Sequence, residues 1–299
     1  MINGIINIYK EKGYTSHDVV ARLRGMFKMK KIGHTGTLDP DAVGVLPVCF
    51  GSATKLCDMM TDKTKEYCAQ LLLGIVTDTQ DISGKIIKSC ETLPSEEKLI
   101  ETIMSFKGEY MQVPPMYSAI KIKGQKLVDL ARQGIEVERQ ARRVEIFDII
   151  IENIALPIIS IRVNCSKGTY IRTLCHDIGL KLGVGACMKT LSRTRAGEFK
   201  LESAVSLDEL NKIINKDYDL VSEYLISTED YFNYLDSLFI KADCDRYLQN
   251  GNKLKLEHVC LKEPPARDKY FKVYDAGKKF KAIYQYVKKD DELILYKNF

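Results

Sequence analysis

The chain has 299 residues, of which 45% are hydrophobic, and carries 45 Lys and Arg against 40 Asp and Glu. That is enough apolar material for a large core, and the length suggests one large domain with a smaller one beside it. No apolar run approaches the roughly 20 residues a membrane span needs, and no charged-then-apolar signal pattern opens the chain, so a cytoplasmic protein is expected. The nine cysteines form no Cys-x-x-Cys pair and the four histidines are scattered, which indicates neither a zinc site nor a disulfide framework. Positive charge gathers in two places, +5 over residues 9–31 and +4 over residues 234–299. Such patches suit a phosphate backbone.

In chain order, Ile2 to Ile8 reads as an apolar strand. Thr15 with Asp18 resembles a capping box opening a helix whose Val19, Val20, Leu23, Met26 and Phe27 share one face, leaving a basic face opposite. Lys65 to Leu73 alternates as a strand should, and Ser95 to Phe106 is an amphipathic helix stopped by Gly108. Tyr117 to Ile122 suggests a strand and Gln125 to Gln133 a short helix ended by Gly134. Arg142 to Ile151 and Ile158 to Cys165 are further strands, and Tyr170 to Leu182 is a helix closed by Gly183. Val205 to Asp236 turns acidic and helical. Lys253 to Cys260, Lys269 to Asp275, Lys279 to Lys288 and Glu292 to Tyr296 are short alternating strands. Strands and helices mix without a βαβ rhythm, and no glycine-rich dinucleotide or phosphate loop is present, so an α+β fold with a mainly antiparallel mixed sheet is expected.

The most distinctive stretch, Lys30 to Pro47, leads from a basic run into a loop punctuated by Gly33, Gly36, Pro40 and Gly44. The proline after Asp39 keeps that aspartate out of a helix interior, which displays its carboxylate on a stiff loop. Asp41 makes an Asp-x-Asp with it and raises a rival reading as a metal or phosphotransfer site, but no third carboxylate or phosphate loop accompanies the pair.

The segment Gly33 to Lys55, GHTGTLDPDAVGVLPVCFGSATK, resembles the signature of the TruB family of tRNA pseudouridine synthases. Further blocks follow in family order: Lys65-Glu66-Tyr67, Val113 to Lys121, Gly168-Thr169-Tyr170-Ile171-Arg172 and Leu191 to Arg195. The resemblance implies a pseudouridine synthase catalytic domain over residues 1–210, with a thumb-like RNA-clamping insertion at about 108–140. Residues 211–233 would be an acidic helical connection. Residues 234–299 would be a small basic β-rich module, in the place of a PUA-like or TruB C-terminal RNA-binding domain.

Turning uridine into pseudouridine breaks the bond from N1 to C1′, rotates the uracil and rejoins it through C5. Nothing is oxidised, reduced or hydrolysed overall, so no cofactor or metal is expected. A carboxylate is required, either to engage the sugar or base covalently or to stabilise a cationic sugar. Attack at C1′, addition at C6 and a glycal-type elimination all remain open to it. The resemblance implies that this carboxylate is Asp39, with Arg172 as its ion-pair partner. It implies that Tyr67 stacks against a flipped uracil, and that Tyr170 and Leu191 line the same pocket; Tyr67 could also take a proton during isomerisation. His34 could be an exposed loop residue, a hydrogen-bonded core histidine or a ring that fills the gap left by the flipped base; the resemblance supports the third. Lys10, Lys30 and Lys31 would lie along phosphates, and Lys121 and Lys123 would belong to the clamp.

The expected activity is isomerisation of uridine 55 in the T arm of elongator tRNAs, by a monomer that needs no protein partner. A guide-dependent dyskerin-like enzyme of ribosomal RNA fits less well, because the chain is short and lacks basic tails. A tRNA-folding chaperone would need the basic surfaces but not Asp39.

Overall fold

Strict alternation along Lys65–Leu73 sets the centre of the molecule: odd-numbered residues are buried and even-numbered ones half-exposed. The neighbouring strand Ile158–Cys165 alternates in the same way. The register Tyr67↔Val163 puts both buried rows on one face, because side chains along a strand point to opposite sides in turn. Helix Ile171–Leu182 covers that face, packing Leu174, Cys175, Ile178 and Leu182 against Leu71, Ile161 and Val163. The helix begins after Tyr170 and stops at Gly183, whose φ of +81° costs glycine nothing.

The computed structural model describes residues 2–122, 124–261, 263 and 265–299. Its main sheet runs in the order Val205–Ser206, Gly4–Lys10, Val43–Phe50, Ala186–Ala196, Lys65–Leu73, Ile158–Cys165, Arg142–Ala155, Gly108–Gln112. Val205–Ser206 pairs parallel with Gly4–Lys10, and Val43–Phe50 parallel with Ala186–Ala196. The other neighbours in this order are antiparallel. This is the mainly antiparallel mixed sheet the α+β reading expected.

Helix Ser16–Phe27 carries the capping box of Thr15 and Asp18 in full. It buries Val19, Val20, Leu23 and Phe27 against Ile6, Ile8 and Val48 on the other half of the sheet. The acidic stretch from Val205 is built onto this half: Val205 and Ile226 pair with Ile8 and Ile5. Helix Leu207–Lys216 adds Leu207 and Leu210 to the same core.

A second sheet follows in the order Asp236–Phe239, Lys269–Tyr274, Phe280–Val287, Glu292–Asn298, Leu254–Lys255. It closes its own core around Leu238, Val273, Tyr284 and Leu293. Ile283, on its other face, packs with Tyr231, Phe232, Ile5 and Val45, which ties the sheet to the main body.

The structure corrects several sequence boundaries. Tyr117 to Ile122 is a strand only at Lys121–Ile122, which pairs with Gln125–Lys126 in a small hairpin, and helix Leu127–Arg132 follows directly. Lys253 to Cys260 is a strand only at Leu254–Lys255 before a 3₁₀ turn. Two central strands, Val43–Phe50 and Ala186–Ala196, were not expected. Both carry weak strand signals: the first holds Gly44 and Pro47, the second Lys189, Arg193 and Arg195.

Candidate active site

Sheet register and helix start together build one cavity. On adjacent strands Tyr67 stands opposite Arg193 and Ala69 opposite Leu191, so Tyr67, Leu191 and Arg193 form one wall. Tyr170, Ile171 and Arg172 enter from the start of the covering helix, and the Asp39 loop closes the other side. The cavity measures about 530 Å³, within the range of small-ligand sites.

The Asp39 loop is tethered from several directions. Ser16 Oγ accepts from the Leu38 amide at 2.9 Å, and the Gly13 amide donates to the Pro40 carbonyl at 2.9 Å. Lys10 Nζ donates to the carbonyls of Pro40, Tyr14 and Glu11 at 3.1, 2.6 and 3.1 Å. Arg193, 1% exposed, donates from Nε to Val45 O at 2.7 Å and from Nη2 to Gly36 O at 3.1 Å. Gly44 makes this approach possible. Its φ is +108°, and a β-carbon there would sit 2.3 Å from the Arg193 carbonyl.

Arg172 is the hub. Its Nη2 donates to Asp39 Oδ1 at 3.2 Å, and its Nε lies 3.0 Å from Asp39 Oδ2 as an ion-pair contact, so the guanidinium faces both oxygens of one carboxylate. Nη2 also donates to Tyr117 O at 2.7 Å, and Nη1 to Asp81 Oδ2 at 3.2 Å and Thr79 O at 3.3 Å. The guanidinium is almost fully buried between two carboxylates. Asp39 itself stays 39% accessible through the cavity mouth while protein surrounds it elsewhere. Desolvation pushes its pKa above the ordinary carboxylate range, and the Arg172 charge opposes that rise.

Tyr67 is buried against the Arg193 guanidinium, and burial pushes its phenol up, so it is protonated at neutral pH. Tyr170 is positioned through its backbone: its amide donates to Gln112 Oε1 at 2.8 Å, while Gln112 Nε2 donates to its carbonyl at 3.0 Å. His34 lies at the edge of the loop, with Nδ1 accepting from the Gly36 amide at 3.3 Å and its ring edge-on to His17 at 5.3 Å. Burial lowers its pKa to about 4, which keeps it neutral.

Of the residues singled out from sequence, Asp39, Tyr67, Tyr170, Arg172 and Leu191 meet in the cavity. Lys30, Lys31 and Lys121 are exposed and do not line it; Lys123 lies outside the described residues. Lys10 requires a correction. It is 0% exposed and ringed by carbonyls, with burial lowering its pKa to about 8, so it braces the Asp39 loop and does not face a phosphate. Asp41 turns outward, 3.8 Å from Lys12, so Asp39 and Asp41 do not converge. Among the described residues no three His, Cys, Asp or Glu side chains gather as a metal site would.

Sequence reasoning missed Asp81, Gln112 and the bracing role of Arg193. Asp81 had a local signal, the turn-forming run Thr77 to Gly84. There Thr79 and Ser83 hydroxyls bond Asp81 Oδ1 and leave Oδ2 for Arg172. Gln112 had none.

Comparison with known proteins places the chain. The profile of the TruB family pseudouridylate synthase N-terminal domain matches residues 24–171, and that of the tRNA pseudouridylate synthase B C-terminal domain matches residues 172–238. The chain belongs to the TruB family. The curated tRNA pseudouridine synthase B of Clostridium tetani is 47% identical over 255 residues, covering 85% of this chain and 86% of that protein. That of Clostridium acetobutylicum is 44% identical over 279 residues, covering 93% and 94%. Among solved structures, an H/ACA RNP bound to a substrate RNA containing 2′-deoxyuridine includes a chain that superposes with a TM-score of 0.73. It is 26% identical, covering 99% of this chain and 84% of that one. The fold is thus the pseudouridine synthase fold, and the chain is a pseudouridine synthase of the TruB family.

Proposed function

We propose that the chain isomerises uridine 55 in the T arm of tRNA to pseudouridine, with Asp39 as the catalytic carboxylate. The observation that carries the reading is the ion pair of the buried Arg172 with Asp39 at the mouth of a cavity walled by Tyr67, Tyr170 and Leu191. A buried guanidinium on both oxygens fixes the direction of the carboxylate before substrate arrives, and preorganised charge needs no rearrangement during reaction.

The target base leaves its stack to reach Asp39. Tyr67 and Leu191 offer the flipped uracil an aromatic and an apolar surface, worth about 1–3 kcal/mol for the stacked base, comparable with the cost of unstacking. Because its phenol stays protonated, Tyr67 is equipped to stack and to donate a hydrogen bond, and poorly equipped to receive a proton. Asp39 then engages the sugar or base while the N1–C1′ bond breaks; the uracil turns, C5 bonds to C1′ and gives up its proton, and N1 takes one up, so the product is an isomer of the substrate. The exposed Lys30, Lys31 and Lys121, with the C-terminal sheet, supply backbone contacts outside the cavity. The protein acts as a monomer in the cytoplasm without a guide RNA.

The test is to map pseudouridine in tRNA from cells with and without the protein, and to repeat the conversion with purified protein and an unmodified T-arm stem-loop. Pseudouridine at position 55 in both, and nowhere in the absence of the protein, is the expected result. Conversion at another position, or none, overturns the assignment.

A further inference from the structure

Six cationic side chains line the cavity: Lys65, Arg142, Arg143, Lys167, Arg172 and Arg193. Five are engaged. Lys65 donates to the Thr61 and Lys63 carbonyls, and Arg193 to those of Val45 and Gly36. Arg143 pairs with Glu109, Lys167 with Asp62 at 2.8 Å, and Arg172 with Asp39 and Asp81. Arg142 alone makes no hydrogen bond or ion pair among the described residues, and it is exposed.

Its mounting is rigid. Arg142 is the first paired residue of its strand, opposite Gln112, and the Gln112 amide clamps both backbone groups of Tyr170. The backbone of Arg142 is therefore carried by the same framework that sets Tyr170 and the start of the Arg172 helix, and its side chain lines the same cavity as Asp39. Arg172 is already committed to two carboxylates, Asp39 and Asp81. An unbalanced guanidinium at the wall is free to accept an anion that comes with the ligand. In a flipped nucleotide the anions are the phosphodiesters on either side of the ribose, and a planar guanidinium meets two phosphate oxygens at once.

We propose that Arg142 anchors a phosphodiester flanking the target nucleotide and so positions the ribose over Asp39. This rests on the reading of the cavity as a nucleotide site. Arg142 is a positioning residue. It binds ground state and transition state alike, so its loss should act on KM and leave kcat nearly intact.

The experiment compares wild type, Arg142→Gln and Arg142→Lys on three T-arm stem-loops: unmodified, with a neutral methylphosphonate on the 5′ side of the target uridine, and with one on the 3′ side. Expected for Arg142→Gln are a KM roughly ten-fold higher, kcat within about two-fold, and a salt slope of binding smaller by about 0.7. Arg142→Lys should recover part of the KM. One methylphosphonate should impair wild type and add nothing to Arg142→Gln, and its position identifies the phosphate bound. A wild-type KM in Arg142→Gln, an unchanged salt slope, or equal impairment of both proteins by both linkages overturns the proposal. So does a fall in kcat alone, or a lowered melting temperature that accounts for the KM change. Failure of wild type on the unmodified RNA has a different meaning: it overturns the reading of the cavity, and this inference with it.

Discussion

The cavity and the C-terminal sheet use charge in opposite ways. Around the cavity Lys10, Lys65, Arg172 and Arg193 are buried and bonded to carbonyls or carboxylates. On the C-terminal sheet Lys253 pairs with Glu292, Lys269 with Asp236 and Lys281 with Asp275, all at or near the surface. Water screens the second set and competes for each partner, so such pairs contribute little. The first set cannot exchange a protein partner for water, and removing one member leaves another uncompensated. The basic residues of both regions look alike in one dimension, yet only one set holds the Asp39 loop in place.

The largest effect expected is that of Asp39→Asn, which keeps shape and removes charge. Turnover should fall by at least about 10⁴-fold, with tRNA affinity within a few-fold, measured by pseudouridine formation and filter binding. Near-normal turnover would remove Asp39 from the mechanism. The same carboxyl sets the acid limb of the pH profile. Burial raises its pKa, so activity, which needs the ionised carboxylate, should be full only well above that raised value. It should be lost, as pH falls, at a value above the ordinary carboxylate range, and a limb within that range would contradict the desolvation argument.

Arg172→Lys comes next. An ammonium cannot span Asp39, Asp81 and the Tyr117 carbonyl together, so kcat should drop by about 10²-fold or more, with a modest loss of stability. If kcat holds while only stability drops, Arg172 is structural.

Tyr67 sharpens the comparison within the cavity. Tyr67→Ala removes the stacking surface and should depress turnover strongly without altering the salt slope. Tyr67→Phe keeps the ring and should retain most activity, because the buried phenol is protonated. A Phe variant that binds RNA normally and fails to turn over would restore a proton-transfer role to the hydroxyl.

The smallest pair tests the comparison directly. Lys10→Met removes the ammonium from three carbonyls, of which Pro40's keeps the Gly13 amide, and should destabilise the protein by about 2–4 kcal/mol. It should also lower kcat through the displaced Asp39 loop. Lys253→Met, at an exposed pair, should leave the thermal unfolding curve and kcat unchanged. Equal unfolding curves for the two variants would show that burial does not separate the two sets.

How legible all this was depended on whether the signal was local. Period-two alternation over Lys65–Leu73 and Ile158–Cys165, the Thr15 capping box and the Gly183 stop are local, and each places an element to within a residue. The Asp39 loop and its family blocks identified the cavity residues from their types and order. Strand Ala186–Ala196 was missed because Arg193 and Arg195 break its apolar pattern; they point to partners that lie far away in sequence, Val45 and Asn164 among them. Lys10 reads as a surface cation in any local window, and only the approach of Pro40, thirty residues on, makes it a buried one. Asp81 and Gln112 reach Arg172 and Tyr170 across 91 and 58 residues. The chain by itself determined which groups could do the chemistry and which segments would form strands and helices, because propensity, periodicity and capping act over a few residues. Tertiary structure alone decided which cations are braces and which face the cavity, because burial and hydrogen-bond partnership are properties of surfaces brought together from distant parts of the chain.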